Sequence, residues 1–384
     1  RYAIALRTLR NFTVGRQGGA FSRPGTNLIG EIRTPTVIGR LIPFVFNASQ
    51  TYILEFSGGT ANSYMRVIND GAYVYDGNSR TIVTASKANP CLITYDATAS
   101  DPTDGDIYTF SGCTGMTELN GRDFNVYNVN AGANTCNIRY LDLSAVDSTS
   151  FGTYTSGGTM DRIYQVATPY PNTVLADVHF SQSNDTMIFT HPSYPPYKLT
   201  RSSHSSWTFT EMNSAVFVSS VAAPTVVADW VTVGSGGSTY VCTAVNATGE
   251  ESIASNSDTG PTTGAGTADP GAVTGAVEYR LYRDIGKGYG QCDSASVDAF
   301  LTPDVVLFSA TGTWTPDYSS TPPVNQNLFG AANSYPSTST FYQQRLLFAN
   351  TNTNPQTVWG SRVGSIYNFN VERPINDSSP VTFT

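Results

Sequence analysis

The chain has 384 residues and a formal net charge of −8, and only 13% of its residues are charged. That length suits about two to four domains with real cores. No run of 18 apolar residues occurs, which excludes an encoded transmembrane helix, and no signal peptide is visible. Gly (34), Pro (21), Tyr (22) and Phe (19) are abundant and no amphipathic stretch of three helical turns stands out, which predicts an all-β fold of short strands between turn residues.

The charge is unevenly spread. Residues 1–40 carry seven arginines (Arg1, Arg7, Arg10, Arg16, Arg23, Arg33, Arg40) against one acid, Glu31, a balance of +6, and the remainder stands at −14. An acidic body argues against ordinary nucleic-acid binding, which needs a basic footprint. The arginines suit either solvated strand edges or pairing with an acidic neighbouring subunit. The five cysteines, Cys91, Cys113, Cys136, Cys242 and Cys292, contain no C-x-x-C pair. The expectation is buried thiols rather than a disulfide framework, with one bridge within 85–163 and one within 223–322 as the alternative.

In chain order, residues 1–84 form a first core segment. Gln17-Gly18-Gly19 and Arg23-Pro24-Gly25-Thr26 read as tight turns, and Asn69-Asp70-Gly71 as a hairpin turn between alternating strands. Residues 85–163 read as an inserted small β-module, with a strand opening in Ala88–Thr94, a polar turn at Asp101–Asp106, and a turn and strand across Met116–Tyr127. Residues 164–222 return to the core, with strands at Tyr194–Arg201 and Ser206–Thr210. Residues 223–322 read as a sandwich module: strands at Thr239–Val245 and Gly275–Arg283, a Gly/Thr/Pro-rich loop over 259–271, and a turn at Gly286–Gly290. Residues 323–384 close the chain with segments Asn354–Arg362, Ile366–Phe369 and Pro380–Thr384.

Three stretches look alike: Phe44–Phe56, His179–His191 and Thr340–Asn350. Each is a strand, a polar turn and a second apolar strand, the signature of a hairpin. With about 80 residues after Arg80 and about 100 after Ala222 removed, they recur every 55 to 60 residues or so, near a kelch-like blade period. The expected architecture is a β-propeller-like platform in three parts (1–84, 164–222, 323–384), interrupted by the small β-module and the sandwich.

Candidate chemistry is sparse. His179, His191 and His204 fall in one blade without metal spacing. Asp101, Asp104 and Asp106 resemble part of a calcium loop but lack its pattern, and read as a solvated turn. Gly286-Lys-Gly-Tyr-Gly290 lacks P-loop spacing. Ser202–Thr208 resembles the Asp-box turn of sialidase propellers without its Asp and Gly, and no carboxylate pair for glycoside hydrolysis stands out. Asn11, Asn47, Asn184, Asn246 and Asn376 begin glycosylation-type triplets at a frequency that chance explains. No catalytic, cofactor-binding or metal residue is nominated, and the reading is of a protein that is not an enzyme.

The core segments resemble the tail nozzle or hub (tail tubular protein B-like) family of short-tailed bacteriophages. The residues that carry this are Arg10-Asn-Phe12, Gln17-Gly-Gly19 with Arg23-Pro-Gly-Thr26, Arg40–Phe46 with Tyr52–Phe56, Met65–Gly71, His191–Thr200, Phe341–Phe348, Asn354–Arg362 and Pro380–Thr384, together covering most of about 200 residues. The resemblance implies a virion protein of the tail: a ring homo-oligomer, usually a hexamer, below portal and adaptor, contacting tail fibre or spike proteins. Genomic DNA would pass through its lumen without sequence-specific binding. Such proteins continue beyond a point like Thr384, so the chain is expected to be part of a longer one. Gly115–Arg122 is similar to the first catalytic cysteine half-domain of ubiquitin-activating enzymes, without the domains that carry that activity. Residues 223–322 are similar to a fibronectin type III sandwich. The alternative function is a secreted or surface carbohydrate-binding adhesin, for which the Tyr and Trp content speaks.

Overall fold

The computed structural model describes residues 8–15, 19–23, 25–26, 28–59, 63–213, 217, 222–224, 228–232, 237–260, 266–269, 272–296, 308–310, 315–323, 329, 334–370, 372 and 375–384. Arg1, Arg7, Arg16, the turn residues Gln17 and Gly18, and Pro24 lie outside them. The described residues contain strands and short 3₁₀ turns and no α-helix, so the chain is all-β. They fall into two compact units. The first comprises Arg1–Pro43, Thr51–Gly59 and Tyr64–Gln165, and the second Phe44–Gln50, Thr60–Ser63 and Val166–Thr384.

The first unit opens on an isolated hairpin, β1 (Phe12–Val14) with β2 (Ala20–Ser22). Then come β3 (Arg40–Val45), β4 (Thr51–Gly58), β5 (Ser63–Asn69) and β6 (Ala72–Tyr73). In β3 the period-2 rule is clean: Ile42 and Phe44 point in, while Leu41, Pro43 and Val45 point out. The expected turn between β5 and β6 is present, with Asp70 and Gly71 both at positive φ (49° and 78°), the geometry of a primed hairpin turn.

A closed six-stranded barrel follows, built from β7 (Tyr75–Ala85), β8 (Leu92–Tyr95), β9 (Ile107–Ser111), β10 (Arg122–Asn130), β11 (Thr135–Arg139) and β12 (Thr159–Ile163) in the order β10-β11-β8-β7-β12-β9. Closure removes free edges. The lumen is filled by side chains such as Ile93, Phe110, Phe124, Val126, Ile138 and Met160, all buried. The barrel takes in β7, which lies before residue 85. Residues β13 (Gln165–Ala167) complete a sheet of order β13-β5-β4-β3, with β6 paired to β5.

The second unit holds two four-stranded antiparallel meanders. One runs β14 (His179–Ser183), β15 (Thr186–His191), β16 (Tyr194–Ser203) and β17 (Ser206–Glu211). Between them in sequence come β18 (Ala228–Thr232), β19 (Ser238–Asn246), β20 (Asp258–Gly260), β21 (Gly266–Asp269), β22 (Ala276–Asp284), β23 (Tyr289–Ser296) and β24 (Phe308–Ala310). These form sheets of order β20-β19-β22-β23 and β18-β21-β24. The expected loop over 259–271 is therefore corrected in part: β20, which reaches it, pairs with β19, and β21 within it pairs with β18 and β24, since glycine does not prevent backbone pairing. The second meander is β25 (Thr338–Tyr342), β26 (Arg345–Ala349), β27 (Val358–Gly360) and β28 (Val381–Phe383). Ile366–Phe369 forms no strand.

All three look-alike stretches are hairpins: β3–β4, β14–β15 and β25–β26. The two meanders pack on one another. Ser181 Oγ lies 2.9 Å from Ser339 Oγ, Thr190 Oγ1 donates to the Ser337 carbonyl at 3.2 Å, and Ile188, Met212, Phe329, Leu346 and Phe348 share one core.

Candidate functional site

A cleft of about 530 Å³ in the first unit is walled by Ile29, Glu31, Tyr73, Thr109, Arg122 and Asp123. Its architecture begins with two charges inside apolar strands. β4 carries Glu55 and β5 carries Arg66, with side chains 1% and 0% exposed. Glu55 uses both oxygens: Oε1 accepts from Arg66 Nε (3.2 Å) and the Arg33 amide (3.0 Å), and Oε2 from Arg66 Nη2 (2.7 Å) and the Tyr73 hydroxyl (2.8 Å). These bonds offset much of the cost of burying the pair, although Arg66 Nη1 is buried without a hydrogen-bond partner.

This network builds the cleft wall. Arg66 Nη2 donates to the Glu31 carbonyl, the Arg33 amide is held by Glu55, and the Thr34 amide donates to Ser57 Oγ at 3.1 Å. Segment 31–34 is thus fixed from below. Arg33 itself lies over the Tyr64 ring at 3.7 Å and donates to Gln165 Oε1 at 2.9 Å. Gly30 lets the backbone approach, since a Cβ there would stand 2.7 Å from the Tyr73 ring and 3.3 Å from Asp123 Oδ2. Burial pushes the Tyr73 hydroxyl's pKa up and keeps it a neutral donor.

Asp123, on β10, accepts a hydrogen bond from Thr109 Oγ1 on β9 at 2.7 Å. Burial raises its pKa above the ordinary carboxylate value, and the Thr109 bond and Arg66 only partly offset this. The pair works as a hydrogen-bonding anchor between β9 and β10.

Several residues singled out in the sequence hold loops and turns. Asp101, Asp104 and Asp106 do not converge. Asp101 pairs with buried Arg80 at 3.1 Å, Asp104 Oδ1 accepts from the Val129 amide at 2.9 Å, and Asp106 Oδ2 lies 3.2 Å from Arg162 Nη1. Arg80 also donates to the carbonyls of Asp96, Ala99 and Ser100, and so ties down the loop after β8. Among the described residues no group of three or more His, Cys, Asp or Glu is placed to hold a metal ion. The histidines lie along one meander: His179 begins β14 opposite Thr190, His191 ends β15, and His204 is in the turn before Trp207, whose Nε1 donates to the His204 carbonyl at 2.9 Å. In Gly286–Gly290, Asp284 Oδ1 accepts from the amides of Gly286, Lys287 and Gly288, making a hairpin turn between β22 and β23. Asn47, Asn246 and Asn376 each accept from the amide and hydroxyl of the Ser or Thr two residues on, a turn motif that explains why Asn-x-Ser/Thr recurs. All five cysteines are free.

In the second unit, Glu251 is fully buried and accepts from Arg280 Nη1 (2.9 Å) and Thr243 Oγ1 (2.7 Å). The side chain of its neighbour Glu250 accepts from Asn368 Nδ2 at 2.7 Å, and the Glu250 backbone pairs with that of Glu372 in an isolated β-bridge; the Glu372 carboxylate holds Arg362 and Ser379 Oγ. These contacts lock the 238–260 hairpin region to the segment between β27 and β28.

Glu55, Arg66, Arg80 and Asp123 belong to no catalytic or metal-binding motif. The available signal was a lone acid and a lone base inside otherwise apolar strands, Tyr52–Phe56 and Met65–Ile68. No protein-family model matches the chain, and no curated protein sequence matches it.

Proposed function

We propose that this chain is a structural protein of a bacteriophage tail, part of a nozzle or hub ring through which DNA leaves the particle. What carries the reading is where the family-like segments fall. His191–Thr200 lies on β15 and β16, Phe341–Phe348 on β25 and β26, Asn354–Arg362 on β27, and Pro380–Thr384 on β28. These are the two packed meanders, and a four-stranded antiparallel meander is the form of a propeller blade. Arg40–Phe46, Tyr52–Phe56 and Met65–Gly71 lie on β3, β4 and β5. The segments between them build other sheets: the barrel, and a pair of four- and three-stranded sheets whose strand count suits a fibronectin-like sandwich.

The role is mechanical rather than enzymatic. The polar clusters join strands to loops, as a load-bearing ring requires. An acidic body lets DNA slide because like charges repel phosphate. The ring would be homo-oligomeric, a hexamer by the resemblance, between the tail adaptor and fibre or spike proteins. Electron microscopy of the purified protein and of the particle tests this. Rings of one symmetry located in the tail are expected; a strictly monomeric protein, or specific capture of a sugar on a glycan array, would replace this reading with another.

A further inference from the structure

The β1–β2 hairpin is apolar on both faces and covered on neither. Across its register Phe12 faces Ser22, Thr13 faces Phe21 and Val14 faces Ala20. Residues directly opposite share a face, so Phe12, Val14 and Ala20 lie on one side and Phe21 on the other. Phe12 is 49% exposed, Val14 65% and Phe21 67%. A lone two-stranded ribbon is marginal in water. Its own closure rests on backbone bonds, Gly15 to Gly19 at 2.6 Å and Arg23 to Asn11 at 2.8 Å. Exposed Arg10 and Arg23 flank it at the open end.

A complementary feature lies on the barrel. The loop after β11 exposes Leu143 between exposed Asp142 and Asp147. Leu143 sits at φ 72°, a conformation that costs a bulky side chain free energy and that glycine would adopt freely. Asp142 Oδ1 accepts from the amide and hydroxyl of Ser144, and Asp147 Oδ1 from those of Thr149, so both carboxylates are held outward at fixed positions.

We infer that the β1–β2 hairpin of one copy docks on the Asp142–Asp147 loop of a second copy, aromatic side chains against Leu143 and arginines against the two aspartates. Charge argues for a second copy as the occupant: residues 1–40 stand at +6 and the rest at −14, and exposed Arg10 and Arg23 are opposite in sign to exposed Asp142 and Asp147. A contact between two different patches is heterologous, and repeated head to tail it closes a ring when the rotation permits. The inference rests on the ring reading above and names the contact that would make it.

The test is sedimentation of the full chain at low and high ionic strength, with Phe12→Ser/Phe21→Ser, Arg10→Glu/Arg23→Glu and Leu143→Ser variants. All these side chains are exposed, so far-ultraviolet circular dichroism and melting should be unchanged. The expected result is a wild-type oligomer that weakens with salt, and association reduced by about tenfold or more in each variant. A photo-crosslinking residue at position 12, in a mixture of isotopically light and heavy chains, should join light to heavy at the 142–147 peptide. Wild-type oligomers with unaffected variants, crosslinks only within one chain, or hairpin-dependent binding of a monomer to anionic vesicles would each overturn the inference while sparing or redirecting the ring reading. A wild type that never assembles would sink both.

Discussion

Arg66 and Tyr73 act on the same carboxylate: the guanidinium carbon stands 4.1 Å from the phenol ring centroid, and both groups donate to Glu55 Oε2. The charge is thus boxed by an aromatic face on one side and by its counter-ion on the other. Removing one partner leaves the other buried and uncompensated. Glu55→Gln or Arg66→Met should each cost on the order of 3–5 kcal/mol in urea unfolding of the first unit. The double variant Glu55→Leu/Arg66→Met should recover most of that loss; equal or greater loss in the double variant would contradict the account.

Arg80 organises a loop rather than a core. Its guanidinium donates to carbonyls of 96, 99 and 100 and to Asp101, and lies 4.7 Å from the Tyr95 ring centroid. Arg80→Lys keeps the charge but not the planar fork. Hydrogen exchange should accelerate across 96–101 in this variant while the β9 and β10 amides stay protected.

Asp123 sets a pH dependence whose sign follows from its raised pKa. Between the ordinary carboxylate value and its own, the folded state binds more protons than the unfolded one, so stability falls as pH rises through that window and levels off above it. Asp123→Asn keeps an acceptor for Thr109 and removes the titration. The difference between wild-type and variant melting temperatures, followed upward from acid pH, should grow across the window in the variant's favour and then stay constant.

Burial pushes the Cys136 thiol up to about 12, and raises Cys91, Cys113, Cys242 and Cys292 as well. The thiolate is the reactive form. Native protein should therefore take up maleimide slowly near neutral pH, and denatured protein should take up five equivalents by mass spectrometry. Reductant should leave the melting temperature unchanged.

The β25–β26 turn places Gln343 and Gln344 at φ 46° and 61°. Side chains with a Cβ are strained there, whereas Asn-Gly adopts a primed turn readily. Gln343→Asn/Gln344→Gly should stabilise the second unit by about 0.5–1 kcal/mol, read from its unfolding midpoint.

Strands bounded by turn residues were legible because their signals are local. Asn69-Asp70-Gly71, the three hairpins and the alternating run of β19 need only neighbours in sequence to declare themselves. Barrel closure was not legible: it depends on β9 meeting both β10 and β12, pairings no local pattern specifies. The same holds for the cleft. Thr109 and Asp123 stand opposite each other through the β9–β10 register, and Glu55 shows in the sequence only as a charge standing in an apolar strand. The sequence reading of 259–271 as loop failed because glycine and threonine composition reports turn tendency, while a ladder needs only willing neighbours.

Tyr75 and Ile163, near the entry and exit of the barrel, are paired across β7 and β12. A segment whose two ends lie side by side behaves as a cassette. It can be lengthened, exchanged or excised without changing the distance its host strands must span, since β6 before it and β13 after it both pair on β5. Variation between related chains would then concentrate inside such cassettes while the strands that frame them keep their register, and a fluorescent or affinity domain grafted between those ends is the natural way to label the protein without disturbing the sheet beneath.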